Sequence, residues 1–137
     1  MRVRIALREL GVPCEYVEED LRVRERSDLV RRMNPVLHMV PILIHRGRPV
    51  CGSVNIVEYI DEVWGEARLL PSNPVDRAHA RFWADFVDHK LGRFDLDVEC
   101  PRLTYWAKRC KQRESVRAVL PDDTEMYEFH KEWYGIQ

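Results

Sequence analysis

The chain reads as an α/β region followed by an all-helical one, and three features of the sequence predict it. Apolar residues at helical spacing open the chain, and a continuous apolar run of strand length, Val40-Pro41-Ile42-Leu43-Ile44, follows further on. Beyond a proline-marked linker, every remaining apolar pattern has the helical period. At 137 residues the chain is large enough to bury a core. Its 33% charged and 45% hydrophobic residues are the mixture of a soluble globular protein.

Val3, Ala6, Leu7 and Leu10 predict a first helix, which Gly11 and Pro13 end, since glycine accepts the left-handed cap and proline cannot continue. Cys14 to Val17 is short, carries Tyr16 and Val17, and reads as a strand. Ser27 caps a helix bearing Leu29, Val30 and Met33, and Asn34-Pro35 stops it. The apolar run, the turn His45-Arg46-Gly47-Arg48 and Pro49-Val50-Cys51 form a hairpin. Ser53 caps the next helix, whose Ile56, Val57, Ile60, Val63 and Trp64 make one apolar stripe. The order α-β-α-β-β-α is one strand short of a thioredoxin-like domain, which would begin β-α-β.

Gly65 to Asn73, with Pro71 and Pro74, is the linker, so the reading places one domain at 1–65 and a second at 74–137. Pro74 suits a helix's first turn. Val75, Ala78, Phe82, Phe86 and Val87 give that helix a face expected to be buried, with Trp83 beside it. Pro101 opens another helix with Leu103, Trp106, Ala107 and Cys110 inward. A short helical turn around Val116 and Leu120 ends at Pro121, and Thr124 caps a last helix with Met126, Phe129, His130 and Trp133.

A net charge of −1 gives no field to favour nucleic acid or an anionic membrane, so neither is expected as a partner. The Arg-rich stretch Arg22 to Arg32 is interrupted by Glu25 and Asp28 and reads as a solvated helix face. Cys14, Cys51, Cys100 and Cys110 are too far apart for a Cys-x-x-Cys redox or zinc motif, which disfavours a disulfide oxidoreductase. His38, His45, His79, His89 and His130 lack metal-ligand spacing, so no metal is expected. Met1-Arg2-Val3-Arg4 runs straight into an amphipathic segment, so no signal peptide is expected, and no apolar run reaches the ~20 residues of a membrane span. A cytoplasmic protein with free thiols is the expectation.

The blocks Arg2-Val3-Arg4-Ile5-Ala6-Leu7, Glu15-Tyr16-Val17-Glu18-Glu19-Asp20-Leu21, Met33-Asn34-Pro35-Val36 and Val40 to His45 resemble consecutive pieces of the plant tau-class glutathione S-transferases. Ser53-Val54-Asn55-Ile56-Val57-Glu58-Tyr59-Ile60-Asp61-Glu62, Ala80 to Asp88, and Glu99 to Val116 extend the resemblance over nearly the whole chain. It implies an incomplete thioredoxin-like, glutathione-binding N-terminal domain lacking its first strand, followed by a shortened helical C-terminal domain. The family's opening strand and the loop bearing its catalytic serine belong before Val3, so no catalytic residue is assigned. Two core helices of the family are expected to be missing between Leu91 and Gly92. Exposed apolar faces at Ile56 to Trp64 and Phe82 to Val87 would follow.

The resemblance also implies roles for particular residues. Val40-Pro41 is similar to the family's cis-proline step, where the backbone of the residue before proline pairs with an extended cysteinyl unit. The alternative is that Pro41 starts an edge strand. Ser53, at a helix N-terminus where free N–H groups attract an anion, would grip the γ-glutamyl carboxylate, or act only as a cap worth ~1 kcal/mol. Arg26 stands where the family carries a lysine for the glycyl carboxylate, or is a plain surface arginine. Gly52 replaces a glutamate that would meet the ligand's ammonium, at a loss of roughly 1.5–3 kcal/mol or about tenfold in affinity. Met39 replaces a lysine. Phe82, Trp83 and Phe86 read as core, with a lesser part in bordering an electrophile pocket.

The expected function is conjugation of glutathione to a small apolar electrophile for detoxification, impaired in this chain, with glutathione as co-substrate and no cofactor. The alternative is a non-catalytic glutathione-, ligand- or partner-binding remnant. A homodimer is expected if the chain folds.

Overall fold

A computed structural model describes residues 1–66, 69–90, 100–122 and Thr124, with backbone alone at 89–90. The last helix read at Met126 to Trp133 and the junction at Leu91-Gly92 lie outside the described residues. The chain separates into two compact units, one spanning Arg2–Phe94 and the other Asp95–Gln137 together with Met1.

In the first unit, α1 (Arg2–Glu9) turns Ala6 and Leu7 inward and is followed by Gly11 at φ 67°, the left-handed conformation expected at its end. α2 (Asp28–Met33) is capped by Ser27, whose hydroxyl accepts the Val30 N–H. Glu19 accepts the Ser27 N–H at 2.7 Å, and this bond holds its carboxyl below the usual value. Of the Arg-rich stretch, only the part within α2 is helical; Arg31 ion-pairs with Glu25 and Asp28 at the surface. Buried Asn34 ends α2 and organises the next turn, with Nδ2 donating to Met39 O at 3.0 Å and Oδ1 accepting the Leu37 N–H at 3.3 Å.

β1 (Ile42–His45) and β2 (Arg48–Cys51) form an antiparallel hairpin in which Ile42 faces Cys51 and His45 faces Arg48. Arg46 and Gly47, at φ 51° and 75°, make a two-residue turn whose twist matches that of the strands. The expected strand at Cys14 to Val17 does not form: these residues are irregular and Tyr16 and Val17 are exposed. A strand exists only through hydrogen bonds to a neighbour, and the sheet of described residues contains β1 and β2 alone.

α3 (Ser53–Ile60) continues into a π-helical turn, Asp61–Gly65. Ile56 and Ile60 are completely buried and form the core with Leu7, while Val3, Leu10, Val12, Leu43, Val50 and Trp64 pack around them. The expectation that this stripe stands exposed is therefore corrected: α1 and the hairpin cover it, leaving Val63 outside. Buried Asp61 accepts the N–H groups of Leu69 and Leu70 at 2.9 and 3.1 Å, tying the linker to the end of the helix.

α4 (Pro74–Lys90) begins where Asn73 Oδ1 accepts the N–H groups of Val75 and Asp76. The buried face expected for it is not buried: Val75, Phe82, Trp83 and Val87 are all exposed. The helix is held instead by charge. Arg81 forks onto Glu58 at 2.6 and 2.8 Å, and Asp88 pairs with Arg2. An amphipathic helix ordinarily turns its apolar stripe inward; here the polar stripe carries the contacts. Phe82, Trp83 and Phe86 stack edge-to-face with ring centres 5.3 and 5.6 Å apart.

The second unit contains α5 (Pro101–Lys111), opened by its proline as expected, and α6 (Glu114–Arg117). No residue of α5 is buried, and Leu103 and Trp106, expected inward, are exposed beside Tyr105. Among the described residues of this unit Val119 is the buried apolar side chain.

Candidate functional site

Register brings two of the sequence-selected positions together. The hairpin ladder ends with Ile42 opposite Cys51, so Pro41 immediately precedes one strand at this end and Gly52-Ser53 immediately follow the other. Val40-Pro41 and Ser53 therefore share the open end of the hairpin. The Val40–Pro41 bond is cis, as the resemblance implied. Val40 is half-buried, and among the described residues its backbone N–H and C=O enter no hydrogen bond.

Ser53 is not the cap of α3. The cap position is Gly52, at φ 87°, and no side chain caps this helix. The physical reason is positional: Ser53 is the first helical residue, and its hydroxyl turns to Arg2. Arg2 Nη1 lies 2.7 Å from Ser53 Oγ, and the guanidinium also donates to Asp88 at 3.1 Å from Nη1 and 2.5 Å from Nη2. With a lone pair of Ser53 occupied by Arg2, the hydroxyl proton remains to be donated elsewhere. The first N–H groups of α3 also have no acceptor within the helix. An anion at this point would meet a hydroxyl, a helix N-terminus and a guanidinium half-neutralised by Asp88.

Arg26 does not join this group. Its Nη1 is spent on the carbonyl oxygens of Asp20, Leu21 and Val23 at 3.3, 3.3 and 2.8 Å, where it closes a local turn. No hydrogen bond or ion pair connects it to Val40, Pro41 or Ser53 among the described residues. Arg2 and Asp88 were missed by sequence reasoning, although both stand within blocks of the family pattern. Their partners are 51 and 86 residues away, and no local spacing carries such a signal.

Gly52 occupies a backbone conformation that side-chain-bearing residues rarely adopt, and a Cβ built there meets Asn55 Nδ2 at 3.3 Å. Nearby, His45 Nδ1 lies 2.7 Å from Tyr59 Oη and its ring packs on Trp64 at 4.7 Å, fastening the hairpin to the end of α3. Among the described residues no cluster of His, Cys, Asp or Glu could hold a metal ion, and no helix is long and apolar enough to cross a membrane.

Comparison with known proteins decides the lineage. Residues 1–67 match the family described as glutathione S-transferase, N-terminal domain. The chain is 36% identical to a probable glutathione S-transferase, parC, of Nicotiana tabacum, over 96% of this chain and 88% of the relative. It is 37% identical to glutathione S-transferase U22 of Arabidopsis thaliana, over 94% and 88%. The chain belongs to the plant tau-class glutathione S-transferases.

Solved members of the class show the same fold. Rice GST1, determined in complex with glutathione, superposes with a TM-score of 0.82 at 30% identity, over 93% of this chain and 89% of that one. The tau-class transferase of mango, Mangifera indica, gives 0.61 at 41% identity, and the match covers 85% of this chain but only 49% of the mango chain. The thioredoxin-like domain followed by helices is thus the transferase architecture. The alignment with the tobacco protein runs over 197 positions, more than the 137 residues present, so it crosses positions that this tau-class chain lacks. Members of the family use glutathione itself as co-substrate.

Proposed function

We propose that the chain binds glutathione along the open end of the hairpin and that its conjugation of the thiol to an apolar electrophile is impaired. The observation that carries this reading is the convergence of Val40-Pro41, Ser53 and Arg2. The backbone of Val40 would pair with the cysteinyl unit as an added strand. The γ-glutamyl carboxylate would accept from Ser53, from the first N–H groups of α3 and from Arg2. In the conjugation, the glutathione thiolate attacks the electrophilic carbon, a carbon–sulfur bond forms, and the leaving group departs with its electron pair. Such a reaction serves detoxification in the cytoplasm.

Impairment follows from Gly52 and Met39, which offer the ligand no charge where the family pattern carries a carboxylate and a lysine. One absent charge-assisted bond costs about 1.5–3 kcal/mol, about tenfold or more in affinity. Arg26 would meet the glycyl carboxylate through the guanidinium nitrogens other than the Nη1 engaged by its own turn. We place the missing helices between Leu91 and Gly92, read 1–65 and 74–137 as the two domains, and assign the exposed aromatic residues of α4 to a homodimer contact. The same eroded contacts favour a second reading, a non-catalytic glutathione-binding protein.

Retention on immobilised glutathione followed by conjugation of a chromogenic aryl halide tests both. Weak retention with very low turnover is expected. Retention with no turnover supports the second reading, and no retention at all defeats both.

A further inference from the structure

We propose that two copies of the chain exchange strands, the irregular segment at residues 14–18 of each pairing with the open edge of β1 in the other. The hairpin register creates that edge. Its two-residue turn makes His45 and Arg48 a hydrogen-bonded pair, and bonded and unbonded pairs alternate back along the ladder. Ile44, opposite Pro49, and Ile42, opposite Cys51, are the unbonded positions, so their N–H and C=O groups turn away from β2. Among the described residues no hydrogen bond reaches those groups. The outer side of β2 is a poorer place to add a strand, since Pro49 brings no donor to it.

The same unit carries a segment with the matching deficit. Cys14, Glu15, Tyr16, Val17 and Glu18 are exposed, and their backbone groups enter no hydrogen bond among the described residues. Aromatic Tyr16 and β-branched Val17 suit a strand. Edge and segment stay unjoined within one chain, so a second copy supplies the partner each lacks. Charge selects this occupant. Residues 33–52 include Arg46 and Arg48 and no acidic residue, whereas residues 14–20 include Glu15, Glu18, Glu19 and Asp20 and no basic one. Arg46, Arg48, Glu15 and Glu18 are exposed and enter no ion pair among the described residues. A parallel pairing lays Cys14 beside Ile42 and carries Glu18 toward Arg46, so the charges fix the orientation. Each copy gives one segment and receives one, and the pair closes with two-fold symmetry. The exchange uses neither Val40-Pro41 nor Ser53.

Sedimentation equilibrium of the whole chain tests the exchange, with Trp83→Glu in every sample to remove the contact assigned to α4. A dimer is expected to form as concentration rises, and the strand band of the infrared amide spectrum should grow with it. Glu15→Lys with Glu18→Lys should weaken association about tenfold, as should Arg46→Glu with Arg48→Glu, and the four changes together should restore it. Tyr16→Pro with Val17→Pro removes one ladder donor in either phase of the pairing and should abolish the dimer. The backbone at these two positions carries no bond in the single chain, so circular dichroism should show the fold intact. A monomer at every concentration, a dimer with no gain of strand, a fourfold variant that fails to recover, or a dimer that survives the two prolines would overturn the proposal.

Discussion

Arg2 and Ser53 meet at 2.7 Å, Nη1 to Oγ, across 51 residues of sequence, and the same guanidinium grips Asp88 on α4. One side chain thereby joins the start of α1, the start of α3 and the far part of α4. If this contact sets the anionic pole of the site, Arg2→Lys keeps the charge but loses the fork. Glutathione affinity measured by calorimetry should fall about tenfold for Arg2→Lys and about tenfold for Ser53→Ala. The double variant should lose less than the two effects added, because both act on one contact.

Gly52→Glu should divide stability from binding. A side chain at φ 87° is strained and its Cβ presses on Asn55, so the denaturation midpoint should drop by the equivalent of about 1–2 kcal/mol. The new carboxylate would meet the ligand ammonium, and retention on immobilised glutathione should strengthen by about tenfold. Loss of stability with no gain in retention would remove the hairpin end as the ammonium pole.

Gly65→Ala should be among the more damaging small substitutions. A Cβ at this position would come 2.1 Å from Asp61 Oδ1. That carboxylate holds the N–H groups of Leu69 and Leu70, so displacing it leaves buried polar groups unpaired at a cost of about 2–4 kcal/mol. Chemical denaturation of the variant measures this directly, and Asp61→Ala should show a loss of similar size.

Glu58 gives the chain an acid-side weakness. The bidentate bond from Arg81 lowers its pKa from the ordinary 4.5. A depressed carboxyl contributes stability that is present above its unfolded value and is lost as pH falls through the folded one. Wild type should therefore exceed Glu58→Gln in stability at neutral pH, and the two should converge as pH falls below about 4.5. Urea midpoints across this range provide the measurement, and a constant difference down to low pH would contradict it.

The exposed pair Phe82 and Trp83 makes a further prediction for the proposed dimer. Trp83→Glu should shift sedimentation toward the monomer without altering the circular dichroism spectrum, since the residue is 59% exposed in the chain itself.

Local chemistry is why so much could be read from the residues. Gly11 after α1, Ser27 before α2, the Arg46-Gly47 turn and Pro101 at the start of α5 each act within a few residues of themselves. The blocks around Val40-Pro41 and Ser53 carried the family, and with it the architecture. Tertiary structure decided what depends on a distant partner: Cys14 to Val17 has the residues of a strand but finds no strand to pair with among the described residues, and Arg26 directs its Nη1 to its own turn. It also tied α4 to the unit by the surface ion pairs Glu58–Arg81 and Arg2–Asp88 while leaving Phe82, Trp83 and Val87 exposed, against the helix's hydrophobic pattern. Periodicity reports which face can be buried, whereas burial requires a second surface to lie against it, and only the assembled chain supplies or withholds that surface.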